Sequence, residues 1–174
     1  MVRNFKERLR EVKAFAFDVD GVCTNNQVIM TEEGHMLRKV NTRDGLAMSL
    51  AVQAGYPMAI ITGGSSQGVA ERFRRLGVSD IYLGTLRKLE ALEEFCMVHE
   101  LQPADVLYMG DDMPDLPVLQ AVGFPTCPAD AAPEIKEACI YTSPIRGGHG
   151  CVRDVVEQVL KVAGRWESQD FMNQ

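Results

Sequence analysis

A short apolar segment that runs directly into two acidic residues constrains this sequence more than any other feature. Ala14–Phe17 reads Ala-Phe-Ala-Phe, and four consecutive apolar residues favour a strand buried on both faces of a parallel sheet. Asp18 and Asp20 follow at once, before Gly21. Because open α/β sheets bind ligands beyond the carboxyl ends of their strands, both carboxylates are candidates for a functional site. Burying them together without a cation would be costly, so the pattern favours a divalent metal, with Mg²⁺ preferred to Ca²⁺.

The rest of the chain predicts a single α/β domain. With 174 residues, of which 46% are hydrophobic, the chain can fold around a sizeable core without disulfides. Strand-like and helix-like segments alternate almost throughout, which predicts a Rossmann-like, mainly parallel sheet with helices on both faces. We expect one domain over residues 1–174, with a small β-hairpin insert at about 22–42 and a C-terminal tail at about 164–174.

Charge and cysteine content limit the possible partners and compartment. The formal net charge of -6 argues against a nucleic-acid-binding surface. The five cysteines are odd in number and form no CxxC pair, which favours reduced thiols in a cytosolic protein. No apolar run reaches membrane-spanning length, and residues 1–13 are too charged for a signal peptide. The sequence therefore predicts a cytoplasmic protein that binds neither nucleic acid nor a membrane.

The predicted hairpin carries apolar residues on both faces of both arms. Residues 27–30 and 36–40 flank the segment Thr31–His35, in which Gly34 favours a turn. A lone two-stranded hairpin cannot bury both of its faces. We therefore expect it to pack against copies of itself or against another subunit, with a hairpin folded onto its own domain as the alternative.

A second strand end and a helix start carry groups suited to a phosphate. Thr62 and Gly63 would offer a hydroxyl and a backbone N–H to a phosphoryl oxygen, although Ser65 could make this segment a simple helix N-cap. Lys88 lies near a predicted helix start, where the macrodipole disfavours a cation unless an anion lies in front of the helix. A solvated surface lysine is the alternative for Lys88, and is the expected role of its neighbour Arg87.

The fourth predicted central strand ends at a cluster of aspartates. Asp112 suits an N-cap with Pro114 just inside the helix, and Asp115 adds favourable charge to the first turn. Asp111, at the strand end, has no capping role to explain it and is the predicted metal ligand. Asp112 and Asp115 are expected to support the ligands or to act as partial ligands.

The spacing of Asp18 and Asp20 predicts a division of labour in phosphate ester hydrolysis. Asp18 would attack phosphorus and form an aspartyl-phosphate. Asp20 would protonate the leaving alkoxide and then help to deprotonate the hydrolytic water. Asp20-Gly21 alone is a common turn sequence, but a turn does not account for a buried strand that ends in two acids.

The segment Gly147–Gly150, before the last predicted helix, permits two interpretations. It could form an anion-binding nest, with Arg153 pairing an acidic substrate, or a plain loop that leads into the helix. The sequence contains neither GxGxxG nor GxxxxGK, so dinucleotide and P-loop nucleotide binding are unsupported.

Four motifs in this order resemble those of the haloacid dehalogenase superfamily, and they extend over most of the chain. They are Asp18-Val-Asp-Gly-Val22, Thr62-Gly63, Lys88 and Gly110-Asp-Asp-x-x-Asp115. The insert is too short for a cap domain. Together with residues 41–45, 129–134 and 147–153, it is similar to the capless 3-deoxy-D-manno-octulosonate 8-phosphate phosphatases.

This resemblance implies a Mg²⁺-dependent phosphatase that acts on a phosphorylated keto-sugar acid in lipopolysaccharide precursor synthesis. It implies a homotetramer whose hairpins form a central barrel, with neighbouring subunits and C-terminal tails helping to close the sites. Asp18 would be nucleophile and metal ligand, Asp20 acid/base and a ligand through its carbonyl, and Asp111 a ligand. Thr62 and Lys88 would stabilise phosphoryl charge.

One position departs from the family pattern, because Gly64 stands where many relatives carry Arg or another charged residue. Another cation would then meet the substrate carboxylate, and Arg72 or Arg75 from a neighbouring subunit are the candidates. A nine-carbon substrate, 2-keto-3-deoxynonulosonate 9-phosphate, is the alternative to the eight-carbon one. Two alternatives belong to other classes: a phospho-accepting receiver domain and a non-catalytic tetramerisation module of the same fold.

Overall fold

The computed structural model describes residues 5–166, which form a parallel six-stranded sheet, a separate two-stranded hairpin and seven α-helices. The strands are β1 (Ala14–Phe17), β2 (Ile29–Met30), β3 (Met36–Leu37), β4 (Met58–Ile61), β5 (Asp80–Tyr82), β6 (Val106–Met109), β7 (Phe124–Cys127) and β8 (Tyr141–Thr142). The helices are α1 (Phe5–Arg8), α2 (Thr42–Gln53), α3 (Gln67–Arg75), α4 (Lys88–Val98), α5 (Leu116–Ala121), α6 (Pro133–Ala138) and α7 (Cys151–Val162).

The main sheet has the strand order β5-β4-β1-β6-β7-β8, and all of its pairings are parallel. β1 is central and buried along its whole length. Its side chains alternate between the two faces, as the period of a strand requires: Phe15 and Phe17 join one core, and Ala14 and Ala16 join the other. The first core includes residues of α2, α3 and α7, and the second includes residues of α4, α5 and α6. This confirms the predicted α/β fold with helices on both faces.

The buried face of α2 differs from the predicted one. The spacing of Leu46, Leu50 and Ala54 in the sequence predicts that they share one buried face of α2, but Leu46 is 46% exposed. The inward face instead includes Ala47, Met48 and Asp44. The reason is a polar contact that the apolar pattern could not reveal. The backbone N–H of Arg153, in the first turn of α7, donates to Asp44 Oδ1 at 2.7 Å. This hydrogen bond orients α2 so that Asp44 faces α7.

The hairpin formed by β2 and β3 is shorter than predicted, with two residues in each strand. Its apolar side chains are exposed in the single chain; they are Val28, Ile29, Met30, Met36 and Leu37. The alternative in which the hairpin buries these side chains on its own domain is therefore wrong. Their burial against another subunit stays a prediction.

Two further predictions extend past the described residues. The single domain over 1–174 includes residues 1–4 and 167–174, and most of the predicted tail at 164–174 lies outside the described residues as well. Within residues 5–166, no helix combines the length and the apolar character needed to cross a lipid bilayer.

Two leucines, one just before α4 and one within it, test how the second core stabilises the fold. Leu92 is fully buried, whereas Leu86, just before the helix, is 89% exposed. Leu92→Ala should lower the free energy of unfolding by about 2–5 kcal/mol, because it removes buried methyl groups and leaves a cavity. Leu86→Ala should change it by less than about 0.5 kcal/mol. Urea unfolding followed by circular dichroism measures both, and equal losses would contradict the assigned orientation of α4.

Candidate active site

Three adjacent strands bring the predicted acids and threonine to one edge of the sheet. β1 lies between β4 and β6 and runs parallel to both. Asp18 directly follows β1, Thr62 directly follows β4, and Asp111 follows β6 after one glycine. The chain builds one side of the sheet from β4 and β5 and the other from β6, β7 and β8, so the strand order reverses at β1 and β6. Ligands of open α/β sheets bind at such a switch point.

Lys88, the first residue of α4, joins two of the buried carboxylates. Its Nζ lies 2.9 Å from Asp18 Oδ2 and 2.7 Å from Asp115 Oδ1. Burial lowers the pKa of Lys88, but the charges of these two carboxylates outweigh the burial and raise it above its usual value. The ammonium is therefore charged at neutral pH. Lys88 is buried, so the alternative of a solvated surface lysine is wrong for this residue and correct for the exposed Arg87.

Asp18 is held on both sides of its carboxylate. The backbone N–H of Val19 donates to Oδ1 at 2.6 Å, while Oδ2 faces Lys88. Its backbone N–H donates to the carbonyl of Met109 at 3.1 Å, which fixes the end of β1 against β6. Burial first and the charge of Asp115 second raise the pKa of Asp18 to about 7, although Lys88 opposes this shift.

Asp111 has the features of a ligand that needs a cation. Its carboxylate approaches those of Asp18 and Asp115, with one oxygen atom from each of the three lying within 4.8 Å of the others. Burial first and the charge of Asp18 second raise its pKa to about 8. Three carboxylates facing the single ammonium of Lys88 leave two negative charges when all are ionised. This donor set of buried carboxylate oxygens fits one hard divalent cation.

Asp115 differs from Asp18 and Asp111 in that each of its two carboxylate oxygens accepts two hydrogen bonds. Oδ1 accepts from Lys88 and from the buried hydroxyl of Tyr108, the latter at 2.6 Å. Oδ2 accepts from the backbone N–H groups of Asp111 at 3.0 Å and Asp112 at 3.3 Å. Asp115 thus orients Lys88 and the turn that carries Asp111; its support of the metal ligands stays a prediction.

Asp112 lies on the outer side of the same turn. Its Oδ1 accepts from the backbone N–H of Met113 at 2.8 Å, so it caps the short 3-10 turn Met113–Asp115 that precedes α5. This confirms the predicted N-cap with Pro114 in the first turn. Any support of Asp112 for the metal ligands stays a prediction.

Two glycines permit the close approach of these segments. Gly21 has a φ of +86°, and a Cβ there would collide with the Asp111 carboxylate. A Cβ at Gly110 would overlap the side chain of Asp115. The turn after β1 and the turn after β6 can therefore meet only because both positions lack a side chain.

Thr62 and Asp20 border the carboxylate cluster. Thr62 is buried, and its Oγ1 accepts from the N–H of Gly64 at 3.1 Å, which leaves the hydroxyl hydrogen available to a ligand. Asp20 receives two hydrogen bonds from Arg38, at 2.7 Å from Nε and 3.0 Å from Nη2. The helix that follows Thr62 in the chain, α3, has Ser66 rather than Ser65 as its N-cap residue, and the Ser66 side chain makes no capping hydrogen bond.

Sequence reasoning missed Arg38 and Tyr108. Tyr108 lies within a fully buried strand, where a tyrosine is indistinguishable by pattern from any core aromatic residue. Arg38 comes from the hairpin, 18 positions after Asp20. Its only signal was that it is one of two adjacent basic residues, with Lys39, in an arm whose other residues are apolar, and this does not identify a partner.

The predicted substrate-binding arginines lie elsewhere in the single chain. Arg75 is exposed and pairs with Glu71 at 2.9 Å. Arg72 borders a small cavity between α2 and α3. Arg153 pairs with Glu157 at 2.9 Å, and its guanidinium lies 5.2 Å from the ring centroid of Trp166. Within residues 5–166, none of these arginines is hydrogen-bonded to the carboxylate cluster, so their contribution to a site stays a prediction.

The glycine-rich segment Gly147–Gly150 is a packing loop. The N–H of Gly147 donates to Asp130 Oδ1 at 2.9 Å, and that of Gly148 donates to the carbonyl of Val22 at 2.9 Å. A Cβ at Gly147 would collide with the carbonyl of Gly21. Because these N–H groups are already bonded within the chain, the anion-binding nest is wrong, and the loop instead supports the turn after β1.

Comparison with protein families first gives the general class. Residues 72–152 match the family model described as haloacid dehalogenase-like hydrolase. This agrees with the four ordered motifs and with their convergence at the switch point of the sheet. The class is thus a haloacid dehalogenase-like hydrolase, in which the first strand ends in the Asp-x-Asp pair.

Relatives over nearly the full length give the particular family. The 3-deoxy-D-manno-octulosonate 8-phosphate phosphatase of Yersinia pestis is 33% identical over 161 residues, which are 92% of this chain and 86% of that protein. The Escherichia coli K12 phosphatase of the same name is 33% identical over 91% of this chain and 84% of its own. The chain therefore belongs to the 3-deoxy-D-manno-octulosonate 8-phosphate phosphatase family, and it is a phosphoric monoester hydrolase.

Solved structures agree with this assignment. The Yersinia pestis phosphatase superposes with a TM-score of 0.91 at 32% identity, covering 94% of this chain and 89% of that one. The Moraxella catarrhalis phosphatase, solved with magnesium, phosphate and KDO, gives a TM-score of 0.91 at 32% identity and covers 98% of both chains. The family assignment therefore replaces the two other interpretations of the sequence, a receiver domain and a non-catalytic module.

The pKa shifts of Asp18 and Asp111 predict how pH affects a divalent cation at this site. Both carboxyls must be ionised to ligate Mg²⁺, and their pKa values are raised to about 7 and about 8. Mg²⁺ affinity should therefore rise from about pH 6 to about pH 8.5, by up to roughly tenfold per pH unit for each proton released. Titration of the purified protein with Mg²⁺ at several pH values, by calorimetry, measures the affinity and the protons released.

The effect of Mg²⁺ on the melting temperature should also increase with pH, and thermal unfolding measures it. Because both pKa values lie above those of the unfolded chain, about 3.9, the metal-free native state loses stability as pH rises from about 4 to about 8. Mg²⁺ should then raise the melting temperature more at about pH 8.5 than at about pH 6. Asp111→Asn should abolish most of this pH-dependent gain. A larger Mg²⁺ effect at the lower pH would contradict the assigned ligands.

Proposed function

We propose that this protein hydrolyses 3-deoxy-D-manno-octulosonate 8-phosphate to the free sugar acid and phosphate, through a covalent intermediate on Asp18. The observation that carries the proposal is the position of Asp18 at the switch point, with one oxygen held by Lys88 and the neighbouring carboxylate of Asp111 lacking a donor among the described residues. The names of the family relatives supply the substrate.

The first half of the reaction transfers the phosphoryl group to the protein. A carboxylate oxygen of Asp18 attacks phosphorus and forms an acyl phosphate, while the bond between phosphorus and the sugar oxygen breaks. Asp20 gives its proton to the departing alkoxide. Lys88 and the free hydroxyl hydrogen of Thr62 stabilise charge on the phosphoryl oxygens, assisted by the backbone N–H of Gly63.

The second half regenerates the protein. Asp20 takes a proton from water, the water oxygen bonds to phosphorus, and the bond between phosphorus and Asp18 breaks. Phosphate leaves, Asp18 is again a carboxylate, and Asp20 is protonated for the next turnover. The reaction thus balances with water as the only second substrate.

The proposed cofactor is Mg²⁺, held by the carboxylates of Asp18 and Asp111 and by the backbone carbonyl of Asp20. When bound, it neutralises negative charge on the phosphoryl group and orients it. Asp115 supports the site indirectly, since its carboxylate accepts hydrogen bonds from Lys88, from Tyr108 and from the turn that carries Asp111.

The proposed assembly is a homotetramer in which the exposed apolar side chains of the hairpin are buried between subunits. A large exposed apolar patch on a small chain favours such an interface. We further propose that the enzyme acts in the cytoplasm, which the odd number of cysteines without a CxxC pair supports. The proposed role is the synthesis of lipopolysaccharide precursors, and the substrate in the names of the relatives supports it.

Asp18→Asn tests the covalent role. The amide retains the shape of the side chain but is a poor nucleophile, so kcat for the sugar-acid phosphate should fall by at least about a thousandfold. Asp105→Asn is a matched control, because Asp105 pairs with Lys13 at the start of β6, the opposite edge of the sheet. Its kcat should stay within about twofold. Circular dichroism should show both variants folded, and substantial turnover by Asp18→Asn would contradict the covalent mechanism.

A phosphate-release screen tests the substrate. The eight-carbon sugar-acid phosphate should give a kcat/KM at least about tenfold above that of the nine-carbon 2-keto-3-deoxynonulosonate 9-phosphate. A chelator should remove activity with both, and added Mg²⁺ should restore it. A preference for the nine-carbon compound would replace the proposed substrate and leave the mechanism unchanged.

A further inference from the structure

Arg38 is a buried cation that the mechanism above does not use. It lies just after β3, and only 8% of its side chain is exposed. Its Nε and Nη2 hold both oxygens of Asp20, and its Nη1 donates to the carbonyl of Met36 at 3.1 Å. This pairing fixes the guanidinium beside the catalytic loop, although the rest of the hairpin is exposed.

The guanidinium also lies against the loop that follows β4. A Cβ placed on Gly64 would come within 3.2 Å of Arg38 Nη2 and 3.5 Å of Thr62 Oγ1. The absence of a side chain at position 64 therefore lets Arg38 approach the proposed phosphoryl-binding threonine from the side of the hairpin.

Arg38 keeps hydrogen-bonding capacity after these contacts. A guanidinium has five N–H donors, and three of them bind Asp20 and Met36. Two N–H groups remain without an acceptor among residues 5–166, one of them on Nη2, the atom nearest to Gly64. Arg38 can thus bind an additional anion without releasing Asp20.

A cavity of about 750 Å³ opens between the hairpin and this loop. Its walls are residues 34–38 on one side and residues 63–68 on the other. Arg38 is the single permanently charged side chain in these walls, and the hydroxyls of Ser65 and Ser66 and the amide of Gln67 supply neutral polar groups. Such walls suit a polyhydroxylated molecule that carries one negative charge.

We propose that Arg38 is the specificity-determining residue that binds the substrate carboxylate in this cavity. The inference rests on the proposed function: with the phosphoryl group at Asp18 and Thr62, the organic part of the substrate extends past Gly64, and its carboxylate meets the guanidinium. The carboxylate receptor then comes from the hairpin of the same chain. Arg72 and Arg75 of a neighbouring subunit are the competing candidates, and the experiment below separates them.

Two matched substrates isolate this contact. One is the sugar-acid phosphate, and the other is its primary amide, which has nearly the same size and the same phosphate group but no charge where the carboxylate was. The readout is the ratio of kcat/KM for the acid to kcat/KM for the amide. Because any disturbance of Asp20 slows both substrates, the ratio reports the interaction with the carboxylate alone.

Arg38→Gln should lower this ratio by roughly 10- to 100-fold, because a charge-assisted pair with a guanidinium is lost. Arg38→Lys should lower it less, since the charge remains without the planar fork. Arg74→Gln, an exposed arginine on α3, controls for the loss of one positive charge and should leave the ratio within about twofold.

Each outcome has a distinct meaning. An unchanged ratio in Arg38→Gln, together with a lowered ratio in Arg72→Gln or Arg75→Gln, would overturn the assignment of Arg38. An equal fall in kcat/KM for both substrates in Arg38→Gln would show that Arg38 only positions Asp20. That result would also overturn the assignment of Arg38 to the substrate carboxylate. If the unchanged protein releases no phosphate from the acid substrate, the proposed function fails and the inference fails with it.

Discussion

The shared ammonium of Lys88 is the interaction on which the rest of the site depends. Three carboxylates converge at the end of the central strands, where burial and mutual repulsion raise the pKa of Asp18 and of Asp111. Lys88 compensates for part of that repulsion through contacts of 2.9 and 2.7 Å. The first position of a helix is electrostatically unfavourable for a cation, so these contacts must also offset the macrodipole of α4. The first turn of α4 is in this way tied to the end of β1 and to the turn after β6.

The sheet topology explains why residues so far apart in sequence can meet. The chain extends the sheet outward from β1 through β4 and β5, and then returns to add β6 on the other side of β1. The two turns that follow β1 and β6 therefore face each other without an intervening strand. Gly21 and Gly110 allow those turns to touch, and α4, which follows the edge strand β5, brings its first residue back over the same point. The site is a consequence of strand order combined with two positions that lack a Cβ.

The parts of the site that the sequence could predict are those fixed by local chemistry. Asp18, Thr62 and Asp111 each follow an apolar strand, and strand ends converge whatever the details of the packing. Lys88 was recognisable as an anomaly at a helix start, although its burial was not. The prediction that Leu46 faces inward was wrong, because the orientation of α2 is set by Asp44 and its hydrogen bond to the first turn of α7. That bond joins residues 109 positions apart, and no periodicity in the sequence encodes it.

Arg38 shows why the hairpin could be only half understood from its pattern. Its apolar residues explain the side that stays exposed, and they point to a second chain as the missing partner. Between β3 and α2 the hairpin instead contains a polar group, because the guanidinium of Arg38 is buried there against Asp20 and Gly64. A buried charge is tolerated only where its partner is fixed, and the partner here is the aspartate proposed to move the proton. The position of the hairpin and the geometry around Asp20 are therefore coupled, because a displacement of the hairpin would separate the Arg38 guanidinium from its acceptor atoms on Asp20.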